Sequence, residues 1–474
     1  MQGQVTSSDH ATGYSDLPIT CNTELIGHFG SSGGFKVERY VDAAGHECAY
    51  YDGTLIFPID VPGTIGTYVL DMSDPSNPTP TASLVTPAML TPHESLLVNT
   101  QRGLLAAVMG NPAVFPGIVD VYDISADCRT PVLKSSLPVG ILGHESGFAP
   151  DGNTFYAASL FNGSIVAVDV SNPSLTTPVW IGNFSSHGLS LNADGTRAYL
   201  AARTGLGPSG DRPGLMILDV TQVQQRVSNP QVEVVGTVMW DDGSIPQNAM
   251  PVTINGHPYV VEIDEFAGTP IPSADPSAPV GAARIIDIGD ETNPKVISNI
   301  KLEVHLPENR AAVLGDPGAN SIIGYAGHYC GVPREVDPGI VACSMILSGL
   351  RVFDIRDPYN PREVAYFNPV GSPELGDPAA NSTAMSRPAF APERNEIWYA
   401  DGFSGFYVLR LTNGVSASAP PLDLAAVAAP AESSQAVADT RGPTLPASGP
   451  TVPIGVVVGL LTLGLIIRWV RAHA

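Results

Sequence analysis

Histidines recur at one fixed spacing in the first half of the chain. His144 and His187 each stand 12 residues before a tyrosine, and His93 stands 12 residues before Leu105. His46 occupies the matching place before a shorter hairpin. Neutral imidazoles bind Cu, Zn and Fe through a ring nitrogen, at about 2.0–2.1 Å for zinc. If the four side chains converge, the sequence predicts a transition-metal site.

Other polar residues stand at or beside these positions. Gln247 and Arg387 replace the histidine in later segments, and Glu308 or Asn309 is the candidate in the sixth. Three of the histidines are followed by a glutamate, and these acids are Glu47, Glu94 and Glu145. Because side chains alternate along a strand, each glutamate should point away from its histidine. The carboxylates are therefore predicted to orient the histidines rather than to bind the metal.

A short hydrophobic strand that ends in an acid recurs along the chain, with a degenerate seventh copy that ends in Arg410. The six aligned acids are Asp71, Asp123, Asp169, Asp219, Asp287 and Asp354. The copies lie 46–68 residues apart, which is too close for separate domains but suits one four-stranded blade each. Repeats of this length predict an all-β, seven-bladed propeller. Equivalent positions of a seven-fold ring converge on its axis, so the histidines should form a collar at the mouth of the channel.

The turns agree with this architecture. The repeat acids precede turns and are expected to accept hydrogen bonds from the turn backbone. Ala149–Tyr156 places Asp-Gly where a tight β-turn needs a positive φ. The seventh copy stops near Asn413, and Asn22–Gly30 resembles the fourth strands of other copies. We therefore expect the N-terminal strand to complete the last blade and close the ring without an exposed edge.

The repeats resemble LVIVD repeats, which occur in bacterial and archaeal surface proteins. The resemblance rests on segments such as Ile165–Pro173 and Leu350–Pro361, and it spans roughly residues 22–413. It implies a propeller in which the strand before each Asp-Gly hairpin is innermost and lines the central channel. Proteins with these repeats are generally of unassigned function, so the resemblance implies little about activity. Other seven-bladed propellers, nitrous-oxide reductase and the carotenoid oxygenases among them, hold copper or iron on axial histidines.

Charge and cysteine content narrow the classes of function. The 474-residue chain has 46 acidic and 23 basic residues and a net charge of −23. This balance argues against nucleic-acid binding, which needs a basic surface. Cys330 and Cys343 are expected to form a disulfide, and Cys21 with Cys48 is a weaker second pair. Cys128 would then be the odd thiol, and free buried cysteines are the alternative to any pairing.

The C-terminal segment has the features of a surface anchor. Its Ala-, Pro- and Ser-rich part is typical of a disordered stalk. The uncharged stretch Val452–Ile467 is followed by Arg468, which places the short tail in the cytoplasm and the propeller outside. The predicted order is a disordered segment (1–20), the propeller (21–414), the stalk (415–450), a single transmembrane helix (451–470) and a cytoplasmic tail (471–474).

The pentapeptide Leu445–Gly449, LPASG, precedes this span. Together with the apolar span and the basic tail it resembles the LPxTG-type sorting signal of Gram-positive surface proteins. Ser448 stands where that family usually has threonine. The resemblance implies covalent attachment to the cell wall, with plain membrane anchoring as the alternative.

Two functions from different classes stay open at this point. The first is an extracellular, surface-anchored binding or interaction module for an unknown protein or small-molecule ligand. In that case the histidines are a repeat feature that hydrogen-bonds neighbouring blades. The alternative is a metal-dependent surface enzyme, an oxidase or hydrolase, that works at the histidine collar with Cu, Zn or Fe. A binding scaffold needs no stoichiometric metal, whereas the enzyme does.

Overall fold

The computed structural model describes nine parts of the chain. These are residues 1–6, 18–53, 65–110, 116–159, 163–203, 212–266, 278–316, 324–370 and 382–422. The stalk beyond residue 422, the LPASG pentapeptide and the predicted membrane span lie outside the described residues. Within the described ranges, no helix is both long and apolar enough to cross a membrane.

The strands form seven antiparallel sheets that follow one another along the chain, as the repeats predicted. Two strands that join later sheets come first, β1 (Ile19–Cys21) and β2 (Thr23–Phe29). Blade 1 contains β3 (Val37–Val41), β4 (Glu47–Asp52), β5 (Thr67–Asp71) and β6 (Thr79–Leu84). Blade 2 contains β7 (Leu97–Asn99), β8 (Leu104–Val108), β9 (Val119–Asp123) and β10 (Val132–Leu137). Blade 3 contains β11 (Glu145–Phe148), β12 (Thr154–Ser159), β13 (Ser164–Asp169) and β14 (Thr177–Asn183).

The later blades repeat this order. Blade 4 contains β15 (Ser186–Leu191), β16 (Arg197–Arg203), β17 (Pro213–Asp219) and β18 (Glu233–Met239). Blade 5 contains β19 (Ile245–Ile254), β20 (His257–Glu265), β21 (Ala283–Asp287) and β22 (Lys295–Ile300). Blade 6 contains β23 (Cys330–Gly331), β24 (Ile340–Ser344), β25 (Leu350–Asp354) and β26 (Arg362–Asn368). Blade 7 contains β27 (Ala389–Ala391), β28 (Glu396–Asp401) and β29 (Gly405–Leu411).

Helices are short. The described residues include two four-residue α-helices, α1 (Pro87–Leu90) and α2 (Thr221–Gln224). They also include the 3-10 helices Glu303–His305, Pro307–Val313 and Pro392–Arg394.

The first strand of each blade is innermost. The first strands of neighbouring blades contact one another, as β11, β15 and β19 show. Two parallel bridges between blades, Lys36 with Arg387 and Glu94 with Glu145, lie just before these strands. The residues that begin the first strands therefore surround the axis.

Apolar side chains from facing blades make the core. In the cluster between blades 3 and 4, Tyr156 and Ile165 pack against Leu189 and Leu200, all at most 2% exposed. Alternate residues of each strand reach the blade on either side, which explains the alternating pattern of the repeats. The ring is thus held by a series of sheet-on-sheet interfaces.

The N-terminal strand closes the ring, as predicted. β2 pairs antiparallel with β29, so that Leu25 lies opposite Leu409 and blade 7 gains its fourth strand. β1 pairs with β26 and adds a fifth strand to blade 6. β2 and β1 thus become the outermost strands of blades 7 and 6 and cover the edges of β29 and β26.

Residues 1–6 differ from the expectation of disorder over 1–20. Val5 is fully buried, and its N–H donates a 2.8 Å hydrogen bond to the hydroxyl of Tyr325. The same hydroxyl lies 3.0 Å from the carbonyl oxygen of Val5. The hydroxyl of Ser348 donates to the carbonyl of Gly3 at 2.7 Å. These contacts hold residues 1–6 against blade 6. The sequence of this segment has no pattern that predicts them.

The repeat acids shape the turns after the third strands, as predicted. Each accepts a hydrogen bond from the backbone N–H two residues later, at 2.8–3.0 Å. The acids are Asp71, Asp123, Asp169, Asp219, Asp287 and Asp354. Their role is to fix turn geometry.

Two disulfides are present in the described residues. Cys330 and Cys343 pair across β23 and β24, as expected. Cys48 pairs with Cys128 and joins blade 1 to blade 2, whereas Cys21 is free and exposed. The predicted pair of Cys21 with Cys48 is therefore wrong. Cys21 lies on β1 in blade 6, and the sequence could not show that the turn carrying Cys128 reaches the neighbouring blade.

Candidate metal centre

Three of the four predicted histidines meet at the axis. The ring centroids of His93 and His144 are 4.5 Å apart, and those of His144 and His187 are 4.6 Å apart. The three side chains are at most 9% exposed. His144 precedes β11. His187 lies on β15, where the pairing of β15 with β16 shifts register between Ser186 and Leu189. Such a bulge can redirect a side chain that regular alternation would point elsewhere.

His46 does not belong to this collar. It lies in the turn between β3 and β4, at the opposite end of the innermost strand. Its Nδ1 is 2.9 Å from Asp42 Oδ2, and its side chain is 32% exposed. Phe35 and Lys36 take its expected place at the axis. Blade 1 has no histidine before β3, so the prediction placed His46 at the start of the innermost strand, and this was wrong.

His328 is the member of the collar that sequence reasoning missed. The fixed spacing failed because the hairpin between β23 and β24 has eight residues (332–339), against five (149–153) in blade 3. His328 therefore stands 14 residues before Ala342, which has the register of Tyr156, and this spacing is two more than the usual 12. A search that allowed longer hairpins would have found it.

Three of the other predicted positions are placed as follows. Glu308 is exposed in a 3-10 helix, so its assignment to the sixth blade was wrong. Gln247 is fully buried on β19, and its amide has no hydrogen-bond partner among the described residues. Arg387 lies beside the channel, where Nη1 is 3.4 Å from Glu38 Oε1. These two line the axial region but do not contact the histidines in the described structure.

The three glutamates have three different partners. Glu47 binds Arg39 and Arg394 away from the axis. Glu145 Oε1 accepts a 3.0 Å hydrogen bond from Lys36 in an ion pair whose side chains are 1% exposed. Glu145 approaches the backbone of blade 4 so closely that a Cβ on Gly188 would lie 1.2 Å from its Oε2. A side chain at position 188 would therefore displace the carboxylate of Glu145 from its present position.

Glu94 lies at the centre of the cluster, contrary to the expectation that it would point away. Its Oε2 is 3.0 Å from His187 Nε2 and 3.2 Å from His144 Nε2. Its Oε1 is 3.4 Å from His328 Nε2 and 3.7 Å from His93 Nε2. The alternation rule fails because His93 has a φ of 51°, outside extended geometry. This unusual backbone turns both His93 and Glu94 toward the axis.

Backbone carbonyls fix the orientation of two histidines. His187 Nδ1 donates to the carbonyl of Pro246 at 3.0 Å, and His328 Nδ1 donates to that of Met385 at 2.6 Å. A carbonyl can only accept, so the proton must be on Nδ1 and Nε2 faces the cluster. This arrangement is the one that orients histidine ligands in metal sites.

A second carboxylate bridges the same two histidines. Glu265, at the end of β20, places Oε2 3.2 Å from His328 Nε2 and Oε1 3.4 Å from His187 Nδ1. Its side chain is only 5% exposed, so it belongs to the buried cluster.

Burial and charge shift the pKa of four groups in the cluster. Burial would raise the pKa of Glu94, but its electrostatic interactions with the surrounding imidazoles hold that pKa well below its usual value. Burial lowers the pKa of His93 to about 3. For His187 and His328, neighbouring carboxylates outweigh burial and raise the pKa to about 9. The carboxylates thus demand positive charge at the axis, which protons or a metal cation can supply.

Aromatic rings cover one side of the cluster. The ring of Phe35 lies 4.3 Å from that of His93 and 5.2 Å from that of His328. Phe266 and Tyr329 contact His328 at 5.7 and 4.9 Å between centroids. These rings exclude water and strengthen electrostatic interactions in the cluster.

Comparison with protein families identifies one repeat. Residues 151–184 match the LVIVD repeat family. No curated protein sequence matches the chain.

Solved structures share the fold at low sequence identity. Hydrazine synthase of Kuenenia stuttgartiensis is similar with a TM-score of 0.51 and 11% identity, over 81% of this chain and 97% of that chain. The WD40 repeats of RRP9 give 0.47 and 10%, over 83% and 99%. A protein from Lactobacillus plantarum gives 0.44 and 13%, over 69% and 86%. The likeness to hydrazine synthase shows the fold alone. The chain therefore carries an LVIVD repeat in the third blade of a seven-bladed propeller.

Proposed function

We propose that the protein is a metal-dependent enzyme, an oxidase, that binds a transition-metal ion between Glu94, His144 and His187. The observation that carries this proposal is the triangle formed by three potential ligand atoms. His144 Nε2 and His187 Nε2 are 2.7 Å apart, and Glu94 Oε2 lies 3.2 and 3.0 Å from them. All three side chains are at most 7% exposed.

The triangle fits one face of a metal coordination sphere. A cation about 2.1 Å from each atom would lie about 1 Å outside their plane. The angles between its bonds would be about 80–100°, as on one face of an octahedron. Two imidazoles and one carboxylate on such a face are typical of non-haem Fe(II) sites, whose other positions stay open. The donor set therefore favours iron over a tetrahedral structural zinc.

The surrounding residues support this role. Pro246 fixes the ring of His187 by accepting its Nδ1–H, so Nε2 is held toward the metal position. Phe35 excludes water from one side of the cluster. Bound iron would supply the one-electron and oxygen chemistry of an oxidase, which no side chain in the cluster can provide.

A second candidate function, ligand binding without chemistry, is favoured by an axial cavity of about 420 Å³. It is lined by the Lys36–Glu145 ion pair, by residues of the first strands such as Ser146 and Asn248, and by Arg387. Such a polar cavity suits a small polar molecule. This is the binding-module function expected from the sequence, and the cavity would serve as the substrate site if the metal is present.

The location at the cell surface is part of the same proposal. Its support is the two disulfides, because such bonds persist in oxidising compartments outside the cytosol. Anchoring through the C-terminal segment, to the membrane or to the cell wall, rests on the sequence pattern of residues 445–470.

Metal analysis of purified protein tests the proposed function. Protein prepared without chelators should contain iron, whereas a His144→Gln, His187→Gln double variant should lose it and keep its circular dichroism spectrum. His257→Ala is the matched control. This histidine is exposed, and it pairs with Asp287 away from the cluster. Zinc in place of iron would favour a hydrolase. If wild-type protein contains no transition metal, the cluster is an ion-pair network and the binding module is favoured.

A further inference from the structure

We infer that Glu94 bridges two metal ions, the second of which is held by His328 and Glu265. This inference rests on the proposed function, because the first ion is the one between Glu94, His144 and His187. The two oxygens of Glu94 face different histidines. Oε2 faces His144 and His187, whereas Oε1 lies 3.4 Å from His328 Nε2. One carboxylate thus presents one oxygen to each of two positions.

The second position has its own set of donor atoms. Ligand atoms of Glu94, Glu265 and His328 all lie within 4.8 Å of one another, and all three residues are buried. His328 Nε2 lies 3.2 Å from Glu265 Oε2. His93 Nε2, 3.7 Å from Glu94 Oε1, is within reach as a further ligand. Two carboxylates and one or two imidazoles suit a divalent transition metal.

The orientation of His328 gives an independent reason for a cation here. Its Nδ1–H is committed to the carbonyl of Met385, so a neutral ring directs the Nε2 lone pair toward two carboxylate oxygens. Within the described residues, this fully buried Nε2 makes no well-aligned hydrogen bond, despite its short distances to the acids. Lone pairs of three acceptors that face one point repel one another unless positive charge, from a proton or a metal cation, lies between them.

Bridging by Glu94 also sets the distance between the ions. Metal ions that share a carboxylate in two-metal sites lie about 3.5–4 Å apart. At that separation both ions can contact one substrate atom or one bridging hydroxide. The inferred ligand of the second position is therefore a second divalent transition-metal ion, and the reaction class is two-metal chemistry.

The experiment reconstitutes metal-free, full-length protein with Fe(II) under anaerobic conditions and measures bound iron and iron K-edge absorption. Wild type should bind two ions per chain and show a metal–metal distance of about 3.5–4 Å. Glu265→Gln and His328→Gln should each bind one ion and lose the metal–metal signal. His257→Ala should bind two. Thermal melting followed by circular dichroism identifies a variant that has not folded. If either Glu265→Gln or His328→Gln fails to fold, the other variant tests the second metal position.

The outcomes separate this inference from the proposed function. One ion per wild-type chain, unchanged by Glu265→Gln, would overturn the second position and leave the first intact. No bound iron in wild type would overturn both. Two ions that persist in both Glu265→Gln and His328→Gln would also overturn the assignment, because neither residue would then be a ligand.

Discussion

Oε2 of Glu94 lies 3.0 Å from Nε2 of His187, although the two residues are on blades 2 and 4. Neither β7 nor β15 alone could make this contact. It requires the positive φ of His93, which releases Glu94 from the strand pattern and turns it across the channel. A side chain held at the axis by an unusual backbone is typical of a functional site.

The first prediction compares two glutamates that both follow a histidine. Glu94→Gln keeps the size of the side chain but removes its charge, so metal affinity should fall by more than the roughly 10–100-fold typical of losing an orienting partner. Glu47→Gln is the matched control, since Glu47 binds Arg39 and Arg394 away from the axis. Metal titration of both variants measures the effect. Equal affinity in the two would remove Glu94 from the metal centre.

The second prediction concerns the backbone of His93. Alanine and glycine both delete the imidazole, but alanine must adopt the left-handed conformation that His93 holds at a φ of 51°. His93→Gly should therefore be more stable than His93→Ala by about 1 kcal/mol. Urea denaturation of the metal-free variants gives the difference directly. If His93→Ala is as stable as His93→Gly, the backbone at this position is not strained.

Much of the fold could be predicted because each blade repeats one local pattern. The strands that end in an acid identified the third strand of each blade. Because the seventh copy stops near Asn413 before a fourth strand, Asn22–Gly30 was expected to close the ring. Local patterns did not reveal contacts between blades. The pairing of Cys48 with Cys128 depends on how a turn of blade 2 meets blade 1.

The candidate site was predicted only where the spacing held. His93, His144 and His187 follow the 12-residue rule and meet at the axis. His328 departs from that rule because its hairpin is longer. Glu265 could not be found from the histidine spacing, since it lies at the end of a second strand, opposite Ile245 at the start of β19.

The third prediction follows from a buried histidine outside the cluster. Burial and the positive charges of Arg310, Lys301 and Arg351 lower the pKa of His305 to about 3. Its unfolded pKa is about 6.5, so below that pH the unfolded chain binds a proton that the folded protein refuses. The stability contribution of neutral His305 is full above pH 6.5 and is lost as the pH falls toward 3.

His305→Asn should remove this acid sensitivity, because an amide oxygen can replace Nδ1 as acceptor of the Leu302 N–H. Between pH 7 and pH 5 the wild type should lose about 2 kcal/mol relative to the variant. Urea denaturation at both pH values measures the change, and other titrating groups cancel in the comparison. A difference that does not vary with pH would show that folding does not lower the pKa of His305.

The fourth prediction concerns the disulfide between blades 1 and 2. Cys48 and Cys128 are 80 residues apart, and a loop of that length restricts the unfolded chain by about 4 kcal/mol in the chain-entropy account. A Cys48→Ser, Cys128→Ser variant should therefore have a clearly lower free energy of unfolding. Cys21→Ser is the control, since Cys21 is exposed and unpaired as a thiol. Equal loss in the two variants would show that the serine substitutions, and not the bond, destabilise the ring.

The fifth prediction separates the two roles of the N-terminal region. Deleting residues 1–29 removes β2, so the backbone groups of β29 that pair with it from Phe406 to Leu411 become an open edge. This truncation should aggregate or melt at a much lower temperature, because an exposed edge strand pairs with other chains. Deleting residues 1–6 removes the contacts of Gln2, Gly3, Gln4 and Val5 but leaves β2 in place, so that protein should stay monomeric with a modestly lower melting temperature. Size-exclusion chromatography and thermal unfolding distinguish the two. A monomeric 1–29 deletion with an unchanged melting temperature would mean that the ring closes without its N-terminal strand.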